Sequence, residues 1–394
     1  MFNLKYSKMK KIKLVCIFFV ALAMCFSCAN QQNSVTTINV ENGGEISDFS
    51  YAKDAAIDSI VFTSMDGKEL TWSESLKMNY ADAILILHKG KIVYEEYFNE
   101  MTEESTHIIM SCTKSLTASI ALTLAEEGKL NLSALITDYI PELKGSGYEG
   151  ATVQQVLDMT ASIDFTEVYT DPNSDIVAYS YASNFSPRPA DYDGPDGVRA
   201  YMQTIGKGDK PHGQCFAYRT IHTDAVGWVI EKASGKDIKT LFEEYFWSKM
   251  GMEQDANFIV DSKGVAIAGG GFSACLRDLG RFGEMVRNNG MWQGEQILPP
   301  GVVPQIQKGG SREAFLCASY PTLPNWTYKN MWWVSHNEHG AFTARGIQGQ
   351  TIYIDPKAEM VLVRLASNPV AANPANDPIS LPAYHEIAKY LMTK

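Results

Sequence analysis

The chain has 394 residues, enough for two or three average domains or for one large α/β enzyme. Its 45% hydrophobic and 20% charged content is that of an ordinary globular protein. A formal net charge of −11, with no Lys/Arg cluster in the body of the chain, sets aside nucleic acid as a partner, because phosphate binding wants clustered basic groups.

The N-terminus stands apart in composition. Lys8, Lys10, Lys11 and Lys13 form a basic region before the apolar run Leu14–Phe26. At about 13 residues this run has the length of a signal core and falls short of the ~20 needed to span a bilayer. It ends in Phe26-Ser27-Cys28-Ala29, which resembles a bacterial lipoprotein signal with Cys28 as the lipidated residue. Residues 1–28 are therefore expected to be a lipoprotein-type signal, with Met1 or Met9 as the start, and the protein to be exported and lipid-anchored in the cell envelope. A simple cleaved signal is the alternative. The polar, pattern-free residues 29–50 read as a flexible tether. Residues 51–394 read as one domain.

Within that domain Ala83–His88 and Ile92–Phe98, joined by Lys89-Gly90-Lys91, predict a hairpin whose first strand is covered on both faces. A helix is expected over Ser115–Glu127, stopped by Gly128, and others over Thr223–Ala233 and Leu276–Val286. The last of these follows Gly269-Gly270-Gly271, which reads as flexible. A second hairpin follows over Gly349–Ile354 and Met360–Leu365, and an amphipathic helix over Pro382–Met392 closes the chain. Strands at both ends with helices between predict an α/β (α+β) fold. One antiparallel β-sheet flanked by helices would come from both chain ends, with a helical lobe over about 115–330 inserted and a cleft between the two.

Candidate chemistry begins at Ser111-Cys112-Thr113-Lys114, at the start of the first of these helices. Residues three apart share a helix face, so Lys114 can reach the Ser111 hydroxyl. A helix N-terminus also offers free N–H groups to a developing oxyanion. The same S-x-x-K spacing recurs at Ser7–Lys10 and Ser50–Lys53, and the plain alternative is a capping serine with a solvated lysine. A second element follows at Tyr218-Arg219-Thr220, on a loop before a helix. A phenol with a pKa of ~10 is a poor base unless a cation such as Lys114 stands by, and the pair can then shuttle a proton.

In this order the two boxes resemble the serine β-lactamase-like hydrolases, in the class C branch that includes esterases and 6-aminohexanoate-dimer hydrolases. That resemblance implies a β-lactamase/transpeptidase-like fold and a serine nucleophile working through an acyl-enzyme. The tyrosine box there ends in Asn or Ser, and here it ends in Thr220. The third box, Lys-Thr-Gly or His-Thr-Gly, is missing; its slot falls near Ala341–Ala344. The stretch Ala344–Gln350 is similar to the 6-aminohexanoate-dimer hydrolase branch, which implies that the backbone N–H near Ala344 joins that of Ser111 in an oxyanion hole. Arg345 is a candidate replacement for the missing lysine, or else a surface charge. Leu157–Ile163 and Phe165–Tyr169 resemble the segment bordering the cleft, making Tyr169 a candidate substrate contact, and Trp333 is a candidate cleft wall. Ser-Asp-Asn is absent and Glu167 lacks the context of a class A deacylating glutamate.

The expected function is hydrolysis of small esters, amides or peptides, without cofactor or metal. A penicillin-binding D-Ala peptidase or β-lactamase, and a non-catalytic cell-wall-binding lipoprotein of the same fold, are the alternatives. Beyond Cys16, Cys25 and Cys28, the four cysteines Cys112, Cys215, Cys275 and Cys317 have no zinc-ligand spacing. Cys112 and Cys215 flank candidate site residues and are a conceivable disulfide, with buried free thiols as the other possibility.

Overall fold

Residues 35–394 are described by this computed structural model, so the expected signal and Cys28 lie outside the described residues. In chain order the strands that position the site are Thr37–Val40 (β1), Ser50–Tyr51 (β2), Ala81–His88 (β3), Lys91–Tyr97 (β4) and Thr106–Ile108 (β5). They continue with Ala256–Ile259 (β6), Phe272–Cys275 (β7), Thr327–Lys329 (β8), Trp332–Val334 (β9), Phe342–Arg345 (β10), Thr351–Asp355 (β11) and Met360–Ala366 (β12). The helices used below are Cys112–Glu126 (α1), Ile221–Ser234 (α2), Leu276–Arg287 (α3) and Asp377–Leu391 (α4).

The main sheet has the order β8-β9-β10-β11-β12-β3-β4-β2 and is antiparallel except where β2 joins β4. Both predicted hairpins are in it and meet through β12 and β3, with Val361 opposite Leu87 and Val363 opposite Leu85. β3 is buried along its whole length because each face meets a different layer. Ile84 and Ile86 join Tyr353, Tyr384 and Ile387 in the core under α4, while Leu85 and Leu87 join the larger core that contains α3. Glycine lets α3 lie close on this sheet. A Cβ on Gly280 would sit 2.4 Å from the Leu85 side chain, and one on Gly283 would sit 2.6 Å from Val361 Cγ1. Thus α3, inside the segment expected to form the helical lobe, covers the sheet instead.

Residues around α1 and α2 form the lobe. α1 is buried from Cys112 to Leu124 on all sides, as befits a helix at the centre of a large domain.

Two further expectations are corrected. The stretch read as a tether contains β1, which pairs with β6 from Thr37↔Ile259 to Val40↔Ala256 and buries Val40 completely. Four residues are too few to show a strand period, and the partner edge comes from far along the chain. β6 continues through β7 to β5, making a second sheet. The conceivable Cys112–Cys215 bridge does not form: Cys215 is bonded to Cys317, and Cys112 is a buried free thiol on α1.

Candidate active site

The chain enters α1 through a strained residue. Met110 has φ +46°, a region that side-chain-bearing residues rarely occupy. Its carbonyl is held by the Thr113 hydroxyl at 2.7 Å, and Ile109 N–H donates to the Phe272 carbonyl at 2.9 Å, fixing the approach to β7. Ser111 follows at the helix cap, yet its side chain makes no capping bond. The hydroxyl instead meets Lys114 Nζ at 2.9 Å. Capping serine and solvated lysine are both ruled out by this geometry, since Lys114 is 1% exposed.

Lys114 is also held from the Gly269 side. Its ammonium donates to the Gly269 carbonyl, and Gly269 N–H donates to Asp224 Oδ1 at 3.0 Å. The Tyr179 hydroxyl donates to the other Asp224 oxygen at 2.8 Å. Burial pushes Lys114 down to about 8, against the opposing charges of Glu167 and Asp224. Burial likewise pushes Asp224 up to about 6, although Tyr179 and the Gly269 N–H favour its charged form. The glycine run expected to be flexible is buried and tightly packed. A Cβ on Gly269 would lie 3.0 Å from Asp224 Oδ2 and from the Thr220 carbonyl. Glycine is there for close approach rather than for motion.

Tyr218 comes from the loop before α2. Its ring stacks on Trp333 at 5.7 Å between centroids, with Tyr328 edge-on at 6.1 Å. Lys114 Nζ lies 5.4 Å from its centroid. Burial, with the Glu167 charge, holds the Tyr218 phenol well above its ordinary range, and the neighbouring Ser111 hydroxyl pulls the other way. Thr220, the departure in the second box, has a definite use: its N–H and its hydroxyl both donate to Glu167 at 2.6 Å. The Tyr169 hydroxyl donates to the same carboxylate at 2.6 Å.

Ser111, Tyr169, Tyr218, Trp333 and Arg345 line one cleft of about 470 Å³, together with Glu167 and Arg219. Arg345 is not a surface charge, being 7% exposed, and its guanidinium pairs with buried Asp377 while lying 5.3 Å from the Trp333 ring centre. Its charge is already matched. Arg219 has no carboxylate partner among the described residues: Nη1 donates to the Tyr218 carbonyl at 2.8 Å and Nε is buried without a partner. Ala344, expected to offer an oxyanion N–H, is fully buried on β10, pairs with Ile352 of β11 and does not line the cleft, so the sheet takes up its N–H. Glu167, Asp224, Gly269 and Arg219 escaped the sequence reading as site residues. An acidic residue in the first turn of a helix, like Asp224, is routine, and nothing in the sequence marks Gly269 as the acceptor for Lys114.

Fold and cleft together define a β-lactamase-type serine hydrolase, and residues 80–381 match the β-lactamase family model. The chain belongs to this family, on its amidase-related side. It is 34% identical over 297 residues to the 6-aminohexanoate-dimer hydrolase of Paenarthrobacter ureafaciens, covering 75% of each chain. A solved structure from Bacillus anthracis with a provisional 6-aminohexanoate-dimer hydrolase name superimposes with a TM-score of 0.83 at 34% identity, over 91% of this chain and 92% of that one. A D-stereospecific amidohydrolase from Streptomyces shares the fold at 15% identity, with a TM-score of 0.56 over 75% of this chain and 91% of its own.

Proposed function

We propose that this protein hydrolyses small amides or esters through an acyl-enzyme, with Ser111 as nucleophile, Lys114 as its base and Tyr218 as proton donor to the leaving group. The observation that carries this reading is the buried Lys114 amine in contact with an uncapped Ser111 hydroxyl. A lysine pushed down to about 8 is roughly one-tenth neutral at pH 7, enough to act as a base. Its neutral form accepts the Ser111 proton along the same 2.9 Å contact. The serine oxygen then attacks the carbonyl carbon, and the oxyanion is met by the backbone N–H of Ser111 at the start of α1. A phenol held far above its usual range stays protonated, which suits Tyr218 to give its proton to the departing nitrogen or oxygen. Lys114 then returns the serine proton to Tyr218. Water repeats the sequence on the acyl-enzyme and frees the acid.

Arg219, facing the cleft without a carboxylate partner among the described residues, is the cation available to an anionic end of the substrate. The relative that hydrolyses a 6-aminohexanoate dimer supports an amide over a β-lactam. So does Arg345, whose charge is taken by Asp377. Tyr169 and Trp333 are assigned to the cleft walls that contact the substrate. Export with lipidation at Cys28 belongs to the same proposal, and the Cys215–Cys317 bridge supports it, since such bonds persist in oxidising compartments.

Intact-mass measurements with a fluorophosphonate, a penicillin and a nitrophenyl ester provide the test. Wild type should take one fluorophosphonate adduct at Ser111, and Ser111→Ala should lose the adduct and at least about a thousandfold in ester turnover. Hydrolysis surviving in Ser111→Ala sinks the assignment. A Ser111 that no probe labels would point to a binding protein, and faster turnover of penicillin than of ester or amide to a β-lactamase.

A further inference from the structure

A second cluster of polar side chains lies at the other end of β10 from Arg345 and the cleft. The turn between β9 and β10 carries Glu338 and His339, and α4 brings His385 beside them. One ligand-type atom from each of the three lies within 4.8 Å of the others. None of the three lines the cleft.

The histidines are arranged as metal ligands usually are. His339 Nδ1 is 2.8 Å from Asp355 Oδ2, and Asp355 is fully buried and fixed by the Ala358 N–H at 3.0 Å. A carboxylate on one ring nitrogen orients the imidazole, sets its tautomer and leaves Nε2 to bind. The two imidazole rings lie 4.8 Å apart, tilted by 37°. Among the described residues His385 Nδ1 is buried with no hydrogen-bond partner, and its Nε2 is 3.2 Å from Glu338 Oε1. Burial holds His385 below its ordinary range, in the neutral form a metal binds. Ligands around a tetrahedral zinc stand about 3.3 Å apart, so the exposed Glu338 chain and the His385 ring need close by up to about 1.5 Å. His336, in the same turn, is engaged with the Thr327 hydroxyl at 2.7 Å and stands outside the set.

We infer that Glu338, His339 and His385 bind one divalent ion of the zinc class, with Asp355 orienting His339 and a fourth position left to water. Two imidazoles and one carboxylate are a donor set for late first-row metals rather than for calcium or magnesium. No cysteine takes part, and while Glu338 and His339 are adjacent, His385 comes from the far-off α4, so no spacing motif announces the site. A bound ion would fasten the β9–β10 turn to α4, which otherwise meet here through the His385–Glu338 contact and the neighbouring His339 and His385 rings.

The test uses the untagged full chain after treatment with a chelator. Calorimetric titration with Zn²⁺ should show one equivalent bound with a Kd of about 10 µM or tighter, and Zn²⁺ should raise the thermal midpoint. Co²⁺ in its place should give the visible absorption of a low-coordinate site. His385→Ala and Glu338→Gln should each weaken binding by roughly tenfold or more, whereas His336→Ala should leave it unchanged. Ester hydrolysis by His385→Ala should match wild type, which separates this site from the serine chemistry. Absence of stoichiometric binding, or His385→Ala binding as tightly as wild type, overturns the inference and leaves His385 and Glu338 as a simple hydrogen-bonded pair.

Discussion

Lys114 is the residue whose surroundings set the working pH. With its amine pushed down to about 8, ester turnover should rise with pH and level off above that value. Asp224 raises Lys114 through its negative charge, and above about pH 6 it carries that charge itself. Asp224→Asn keeps an acceptor for the Gly269 N–H and removes the charge. The acid limb of the kcat/KM profile should then move to lower pH by about half to one unit. An unmoved limb would disconnect Asp224 from Lys114. The same burial has a stability consequence: between about pH 8 and the ordinary lysine value of 10.5, the unfolded chain binds the proton that folded Lys114 has lost. Its drag on stability therefore fades as pH rises through that window. At this scale Ser111, Lys114 and Tyr218 were legible in the sequence because their order along the chain carries the signal. Gly269 was not, since its carbonyl meets Lys114 155 residues away in the sequence.

At the scale of elements, α3 and the sheet depend on the missing side chains of Gly280 and Gly283. Replacing glycine by alanine in a helix ordinarily stabilises by about 1 kcal/mol. At Gly283 the new Cβ would lie 2.6 Å from Val361 Cγ1 and 3.2 Å from Ile352 Cγ2, both on stiff β-branched residues of the sheet. Gly283→Ala should therefore destabilise by about 1–3 kcal/mol in urea unfolding, the opposite sign to the helix rule. A more stable variant would mean that α3 can lift from the sheet without loss. The helix itself was readable from its pattern over 276–286, but its partner was not. Amphipathicity says which face is buried and not what buries it, so α3 was allotted to the wrong layer. β1 was missed for the complementary reason, because a four-residue strand borrows its register from β6.

For the whole molecule, both chain ends contribute strands to the main sheet, as their distribution implied, while the middle supplies the lobe and also α3, which covers the sheet. The expected signal lies outside the described residues, so the envelope location stands as a proposal with its own measurement. Expressed in a bacterial host and partitioned in Triton X-114, the wild-type protein should enter the detergent phase and Cys28→Ala the aqueous one. Wild type in the aqueous phase would discard the anchor. If the anchor is present, β1 acquires a meaning beyond its place in a sheet. Thr37 is only nine residues on from Cys28, and a chain spans at most about 3.6 Å per residue, so the leash is roughly 30 Å long. The enzyme would then graze a thin layer of solution beside the lipid, fed by whatever crosses or leaves that bilayer rather than by the bulk compartment.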